Sequence, residues 1–228
     1  MASFELNRTY IPEHTKAVIF DFDNTLVDCI KPKVPQHKHT ARQLGIELSD
    51  EEILRNWSIH SFSGLLKTLY GEQAAQANKL IIEQYDQFPK ELYPDTIENL
   101  NALGGAGLHL ALMTSLREDR LEKDFEVTGI DPNIFEYIQA EKDTAVHKPN
   151  GAVFDPTKRW LSSIGVQDAR DAIYMGDALE DMQAASAAGF NFVGVERGFV
   201  KRKQFEDAGA LSVASLSDLI IRSRSADV

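Results

Sequence analysis

Apolar positions along this chain fall into two patterns. Short runs with little alternation, AVIF within 16–22, LHLALM at 108–113, AIYM at 172–175 and FVGV at 192–195, have the pattern of strands buried on both faces, as in a parallel sheet. FEYIQAE offers a weaker strand at Tyr137 and Ile138. Between these runs, apolar residues recur at helical spacing over 96–103, 117–127, 153–164 and 180–188. Alternation of strand and helix predicts an α/β fold with a Rossmann-like parallel sheet flanked by helices.

The stretch 32–92 breaks that alternation. HTARQLGIEL, SDEEILRNW, FSGLLKTLYG and EQAAQANKLIIEQYDQF all favour helix, and none has the pattern of a buried strand. Pro32 and Pro35 on one side and Pro89 and Pro94 on the other mark its edges as breakers. The division expected is an α/β core of residues 1–30 and 93–228 with an inserted all-helical cap, 31–92. Ser49, followed by Asp-Glu-Glu, is placed to cap a helix with acidic residues in its first turn.

Composition narrows the partners. The net charge of −11 repels a nucleic-acid backbone or an anionic membrane surface, so neither is expected as a partner. One cysteine, Cys29, excludes an intramolecular disulfide framework, and the chain has no Cys/His cluster of the zinc-binding kind. The N-terminal MASFELNRTYIPEHTK lacks the pattern of a signal peptide, and no run is long enough to span a membrane. A soluble, cytoplasmic monomer or homodimer is expected.

The candidate chemistry begins where AVIF ends. Residues i and i+2 of a strand point the same way, so Asp21 and Asp23 would present both carboxylates to one side with Phe22 turned into the core. Like charges so close repel, and a divalent cation would offset the repulsion at the carboxyl end of the strand, where ligands bind in open α/β sheets. Read alone, Asp-Asn-Thr is also ordinary turn chemistry. Three further sites change the weighting. LHLALM ends in Thr114-Ser115, AIYMG ends in Asp177 with Asp181 following, and His147-Lys148-Pro149 opens a helix between them. Each lies at an expected strand end or helix start, so all can converge on one rim. Taken singly, Lys148 reads as an exposed lysine before a proline and Thr114 as a strand-end cap. Their joint occurrence favours a site.

These residues resemble, in order, the four motifs of the haloacid dehalogenase superfamily, and most nearly its phosphoglycolate-phosphatase-like members with a helical C1-type cap. DFDNT lies at 21–25, LMTS at 112–115, Lys148 in HKPNGAVF and GDALED at 176–181. The resemblance implies a Mg²⁺-dependent phosphatase in which Asp21 attacks phosphorus and Asp23 is general acid and then base. It implies metal ligation around Asp21, Asp23 (through its backbone carbonyl) and Asp177, with Asp181 a ligand through water or a support. Thr114 and Ser115 would bind the phosphoryl group and Lys148 would neutralise it. Ser115 stands where the family often has Asn, so a side-chain amide contact is shortened or lost.

Asp23 sorts the reaction, because dehalogenases have no leaving oxygen to protonate and lack an acid there. Phosphoryl transfer from a small phosphorylated metabolite is therefore expected. Phosphomutase, pyrophosphatase and a non-catalytic phospho-ligand binder remain as alternatives. Specificity is expected from the cap, where Arg55, His60 and Lys67 are the polar candidates and Trp57 is expected to pack. His37-x-His39 has no carboxylate partner in view and carries little weight as a second metal site.

Overall fold

The computed structural model describes residues 9–57 and 62–221. The chain divides into two compact units, Met1–Val27 with Leu92–Val228, and Asp28–Glu91. It opens with β1 (Thr9–Ile11) and β2 (Ala17–Phe20), and leaves the first unit through β3 (Val27–Asp28). The second unit holds α1 (Ile30–Gln43), α2 (Asp50–Trp57), α3 (Phe62–Tyr70) and α4 (Ala74–Glu83), and the return runs through β4 (Glu91–Leu92). Then follow α5 (Thr96–Gly105), β5 (His109–Met113), α6 (Glu118–Thr128), β6 (Tyr137–Gln139), α7 (Asp155–Ser163), β7 (Ala172–Gly176) and α8 (Leu179–Ala188). The last elements are β8 (Asn191–Val195), α9 (Arg202–Asp207), β9 (Leu211–Val213) and β10 (Leu219–Ile221).

Six strands form one parallel sheet in the order β6-β5-β2-β7-β8-β9. β2 lies between β5 and β7, with Val18 opposite Leu110 on one side and Ile173 on the other. Because side chains alternate along a strand, each apolar run feeds two cores. Val18, Phe20, Leu110, Leu112, Ile173 and Met175 pack with Leu100 and Leu103 of α5 and Leu121 and Phe125 of α6. Ala17, Ile19, Ala111, Met113, Ala172 and Tyr174 pack with Leu161 of α7 and the alanines of α8. This is the Rossmann-like α/β arrangement that the unbroken runs predict. Each fully buried large side chain contributes roughly 1.5–3 kcal/mol, so the central strands are fixed most firmly.

Some elements differ from expectation. The helix expected over 153–164 begins as a 3₁₀ turn, Gly151–Phe154, in which the Asn150 side chain accepts the Ala152 N–H, and α7 proper starts with Pro156 at its second position. Proline suits that first turn, where no N–H has a helical partner to lose. β9 was not expected: it is three residues long and begins with exposed Leu211.

The second unit has its own core of Ala41, Ile53, Leu65, Leu66, Leu69, Tyr70, Ala77 and Ile81. α1 runs through both Pro32 and Pro35 rather than starting after them. Pro32 lies in the first turn, where its missing N–H is harmless; Pro35 removes one helical bond. The helix is held by side chains: Gln36 donates to the Ile81 carbonyl at 2.9 Å and the Thr40 hydroxyl to Gln84 Oε1 at 3.2 Å. At α2 the Ser49 hydroxyl accepts the Glu52 N–H at 3.2 Å, and Glu52 accepts the Ser49 N–H at 2.9 Å, a reciprocal cap.

Candidate active site

Chain order reverses direction around β2, since β5 and β6 lie to one side and β7, β8 and β9 to the other. The crevice outside the carboxyl ends of β2, β5 and β7 is therefore the topological switch point, where ligands bind in such sheets. Asp21 is the first residue past β2, and its N–H still donates to the Met175 carbonyl at 2.8 Å, which continues the ladder one step. Phe22 is wholly buried, and its carbonyl accepts the N–H groups of Thr25, Leu26 and Val27 at 3.3, 2.9 and 3.3 Å. Asn24 closes this turn at φ 55°, a left-handed conformation that asparagine tolerates, and its N–H donates to the Val27 carbonyl at 2.7 Å.

Thr114 is the first residue past β5. Its N–H donates to the Gln139 carbonyl at 3.0 Å, and its hydroxyl oxygen accepts the Leu116 N–H at 3.2 Å, which leaves the hydroxyl proton to donate outward. Asp177 is the first residue past β7, and Asp181 lies in the first turn of α8.

Lys148 joins these pieces. Its ammonium lies 2.6 Å from Asp21 Oδ1 and 2.7 Å from Asp181 Oδ1, and its side chain is only 10 % exposed. The Tyr174 ring lies 5.3 Å from the ammonium, and the Tyr174 hydroxyl donates to Asp181 Oδ1 at 3.3 Å. The Ala178 N–H donates to Asp181 Oδ2 at 3.0 Å, so both oxygens of Asp181 are engaged by the protein. Oxygens of Asp21, Asp177 and Asp181 lie within 4.8 Å of one another.

Three carboxyl groups lie around one ammonium, too few positive charges for all three to ionise together. Burial pushes the Asp21 carboxyl up to about 7, Lys148 opposes that and Asp181 adds to it. Asp177 is held well above the ordinary carboxylate range by burial and by Asp181 and Asp21. Burial disfavours the charge on Lys148, but Asp181 and Asp21 outweigh it and hold the ammonium well above its usual value. Hard oxygen donors crowded together fit a divalent metal ion, whose charge would offset the burial and repulsion that raise these carboxyls.

Two glycines make room for this packing. A Cβ on Gly176 would lie 2.4 Å from Asp181 Oδ2, and one on Gly198 would lie 1.9 Å from Asp177 Oδ2. Neither position admits a side chain without moving a carboxylate.

The structure thus brings together Asp21, Lys148, Asp177 and Asp181, with Thr114 at the neighbouring strand end. The side chain of Asp23 is not in the carboxylate cluster; it lies partly buried in the next turn, where its backbone forms a bridge with Val27. Ser115 is exposed beyond Thr114. In the second unit, Arg55 and Lys67 are exposed, Trp57 packs edge-on to His37 at 5.5 Å, and His60 lies outside the described residues. Arg117 pairs with Asp119 at the surface at 2.8 Å. His37 Nδ1 is bonded to the Tyr70 hydroxyl and His39 to Gln43, and neither belongs to a metal-type cluster among the described residues. Reading the sequence missed Tyr174, Gln139, Arg197 and Gly198. Arg197 was the most accessible of these, because it stands two residues past a strand that ends at the same rim.

The family model of haloacid dehalogenase-like hydrolases matches residues 18–195. The chain belongs to that family. Among its relatives, the phosphoglycolate phosphatase of Rhodospirillum rubrum is 29 % identical over 223 residues, 89 % of this chain and 90 % of that protein. The pyrophosphatase PpaX of Bacillus velezensis is 27 % identical over 183 residues, 78 % of this chain and 82 % of that one. The fold is that of CbbY from Rhodobacter sphaeroides, solved in complex with phosphate, with a TM-score of 0.69 at 20 % identity over 89 % of this chain and 95 % of CbbY. The comparisons support a phosphatase or mutase of this family. No described helix is long and apolar enough to cross a membrane.

Proposed function

We propose that this chain is a Mg²⁺-dependent phosphatase that hydrolyses a small phosphorylated metabolite through an aspartyl-phosphate on Asp21. The observation that carries this reading is the ammonium of Lys148 held between Asp21 and Asp181, with Asp177 beside them, at the switch point of the sheet. An oxygen of Asp21 attacks phosphorus and the bond to the leaving oxygen breaks, as Asp23 gives that oxygen a proton. The resulting Asp23 carboxylate then takes a proton from water. That water attacks phosphorus, freeing inorganic phosphate and the Asp21 carboxylate. Lys148 neutralises charge on the transferring group, and Thr114 donates its hydroxyl proton to a phosphoryl oxygen.

Asp21, Asp177 and the backbone carbonyl of Asp23 would hold Mg²⁺, whose chemistry is to offset negative charge on phosphate and carboxylates. Asp181, with both oxygens already engaged, orients Lys148 and supports the metal site from behind. The helical unit is the cap that would set specificity, with Arg55, Lys67 and His60 as candidates for a second anionic group. The single cysteine, buried at position 29, suits a reducing cytoplasm.

The test is phosphate release from a panel of phosphomonoesters and pyrophosphate, with Mg²⁺ and with EDTA, alongside Asp21→Asn. Turnover that needs Mg²⁺ and vanishes in the variant is expected. Metal-independent turnover, or turnover unchanged in Asp21→Asn, would sink the mechanism. Pyrophosphate, the substrate class named for the Bacillus relative, decides between monoester and anhydride cleavage.

A further inference from the structure

The loop after β8 touches the site from two sides. Arg197 donates from Nη1 to the Thr25 carbonyl at 2.7 Å, within the turn that follows Asp21. Its Nη2 pairs with Asp95, and its guanidinium lies 4.3 Å over the Tyr93 ring. Asp95 is itself fixed, accepting the Ser215 hydroxyl and, at 2.8 Å, the Leu216 N–H. The next residue, Gly198, lies against the Asp177 carboxylate, and Lys201 donates to the Gly198 carbonyl at 2.8 Å, closing the loop.

The segments that Arg197 holds are the two at which the chain leaves and re-enters the first unit. Thr25 lies two residues before β3, Tyr93 follows β4 directly and Asp95 lies two residues further on. They are also bonded to each other, with the Leu26 carbonyl accepting the Thr96 hydroxyl at 2.8 Å and the Tyr93 N–H at 3.3 Å. The guanidinium side chain is 8 % exposed, and its fork spans a backbone oxygen of one segment and a carboxylate of the other. Solubility or surface charge does not require such an arrangement. An ion pair this deeply placed is weak support for stability alone, because desolvation consumes most of the attraction.

We infer that Arg197 is a positioning residue for the reaction: through the Thr25 carbonyl it fixes the turn that aims Asp21 and Asp23, with Asp95 as its anchor. The kinetic arm of this inference rests on the phosphatase reading; the structural arm does not. Reaction geometry is sensitive to such support, since a displacement of about 1 Å can cost on the order of 100-fold in rate.

The experiment compares wild type, Arg197→Gln, Arg197→Lys, Asp95→Asn and Asp21→Asn as full chains, by steady-state kinetics and by amide hydrogen exchange over residues 22–27. In Arg197→Gln, kcat should fall roughly 10- to 100-fold with KM within about twofold, and exchange at Leu26 and Val27 should rise at least about tenfold while β7 stays protected. Arg197→Lys, which keeps the charge and loses the fork, should recover part of both. Asp95→Asn should move both in the same direction by less, and it carries the test if Arg197→Gln does not fold. Asp21→Asn should lose turnover with the turn still protected. Unchanged protection of the turn in a folded Arg197→Gln overturns the inference, whether or not the wild type hydrolyses any substrate on the panel. Lost protection with kcat unchanged overturns the link to catalysis.

Discussion

Without the ammonium of Lys148, Asp21 and Asp181 would face each other, buried, with no cation between them. Lys148→Met keeps the length of the side chain and removes the charge, so kcat should fall by at least about 100-fold, the scale of losing a positioned electrostatic group. Phosphate release at saturating Mg²⁺ checks this, and a variant within tenfold of wild type would remove Lys148 from the mechanism. Gly198→Ala tests the other side of the site. The added Cβ would stand 1.9 Å from Asp177 Oδ2, so that carboxylate must turn away. The Mg²⁺ needed for half-maximal activity should rise on the order of 10- to 100-fold, as when a ligand's supporting contact is lost. KM for substrate at saturating Mg²⁺ should stay put. Residues of the first kind were legible because Asp21, Thr114 and Asp177 each follow an apolar run directly, so that finding the strand finds the residue. Gly198 was not, since a glycine's role as empty space depends on what folds against it, and the double engagement of Asp181 is visible only once Tyr174 and Ala178 are placed.

Among the elements, legibility followed burial on both faces. β2, β5 and β7 are buried throughout or nearly so and stood out as unbroken apolar runs, whereas β9 and the β1–β10 pair are short and lie outside the centre. α1 was misjudged at its start because tertiary hydrogen bonds from Gln36 and Thr40 hold a helix that contains Pro35. β6 was legible only weakly, as Tyr137-Ile138, because its third residue is a buried glutamine. Gln139 donates from Nε2 to the Val153 carbonyl at 2.7 Å, and its Oε1 accepts the Thr157 hydroxyl at 2.6 Å and the Thr157 N–H at 3.2 Å. It ties β6 to the entry of α7, and its backbone carbonyl takes the N–H of Thr114. Gln139→Leu strands these buried partners, each worth 1–3 kcal/mol when left unpaired, so the loss should be about 3 kcal/mol. Urea unfolding followed by circular dichroism measures it, and a loss under about 1 kcal/mol would mean that the strand is held by packing alone.

At the scale of the whole molecule, the two units bury separate cores, and the second holds His37, the one buried histidine among the described residues. His37 has no exposed surface, and its Nδ1 lies 2.8 Å from the Tyr70 hydroxyl. That hydroxyl donates its one proton to the His37 carbonyl at 3.1 Å, so it must accept from Nδ1–H, and the neutral ring carries its proton there. Nε2 is buried with no hydrogen-bond partner among the described residues, so a proton added to it would find no acceptor there. Burial, and secondarily the charge of Lys33, lower the His37 pKa from 6.5 to about 4. Above pH 6.5 the ring is neutral both folded and unfolded. As pH falls from 6.5 towards 4, the unfolded chain takes up a proton that the folded one refuses, so stability is lost with acid, by about 3 kcal/mol across the window. Amide exchange at pH 7 and pH 5, corrected for intrinsic rates, should show α1, α3 and α4 losing protection while β2, β5 and β7 hold theirs. His37→Phe keeps an aromatic ring between Trp57 and Tyr70 and removes the titration, so the acid loss in the helices should flatten. An equal acid loss in that variant would assign the effect to carboxylates instead, and a parallel loss in the sheet would show that acid acts on both units together.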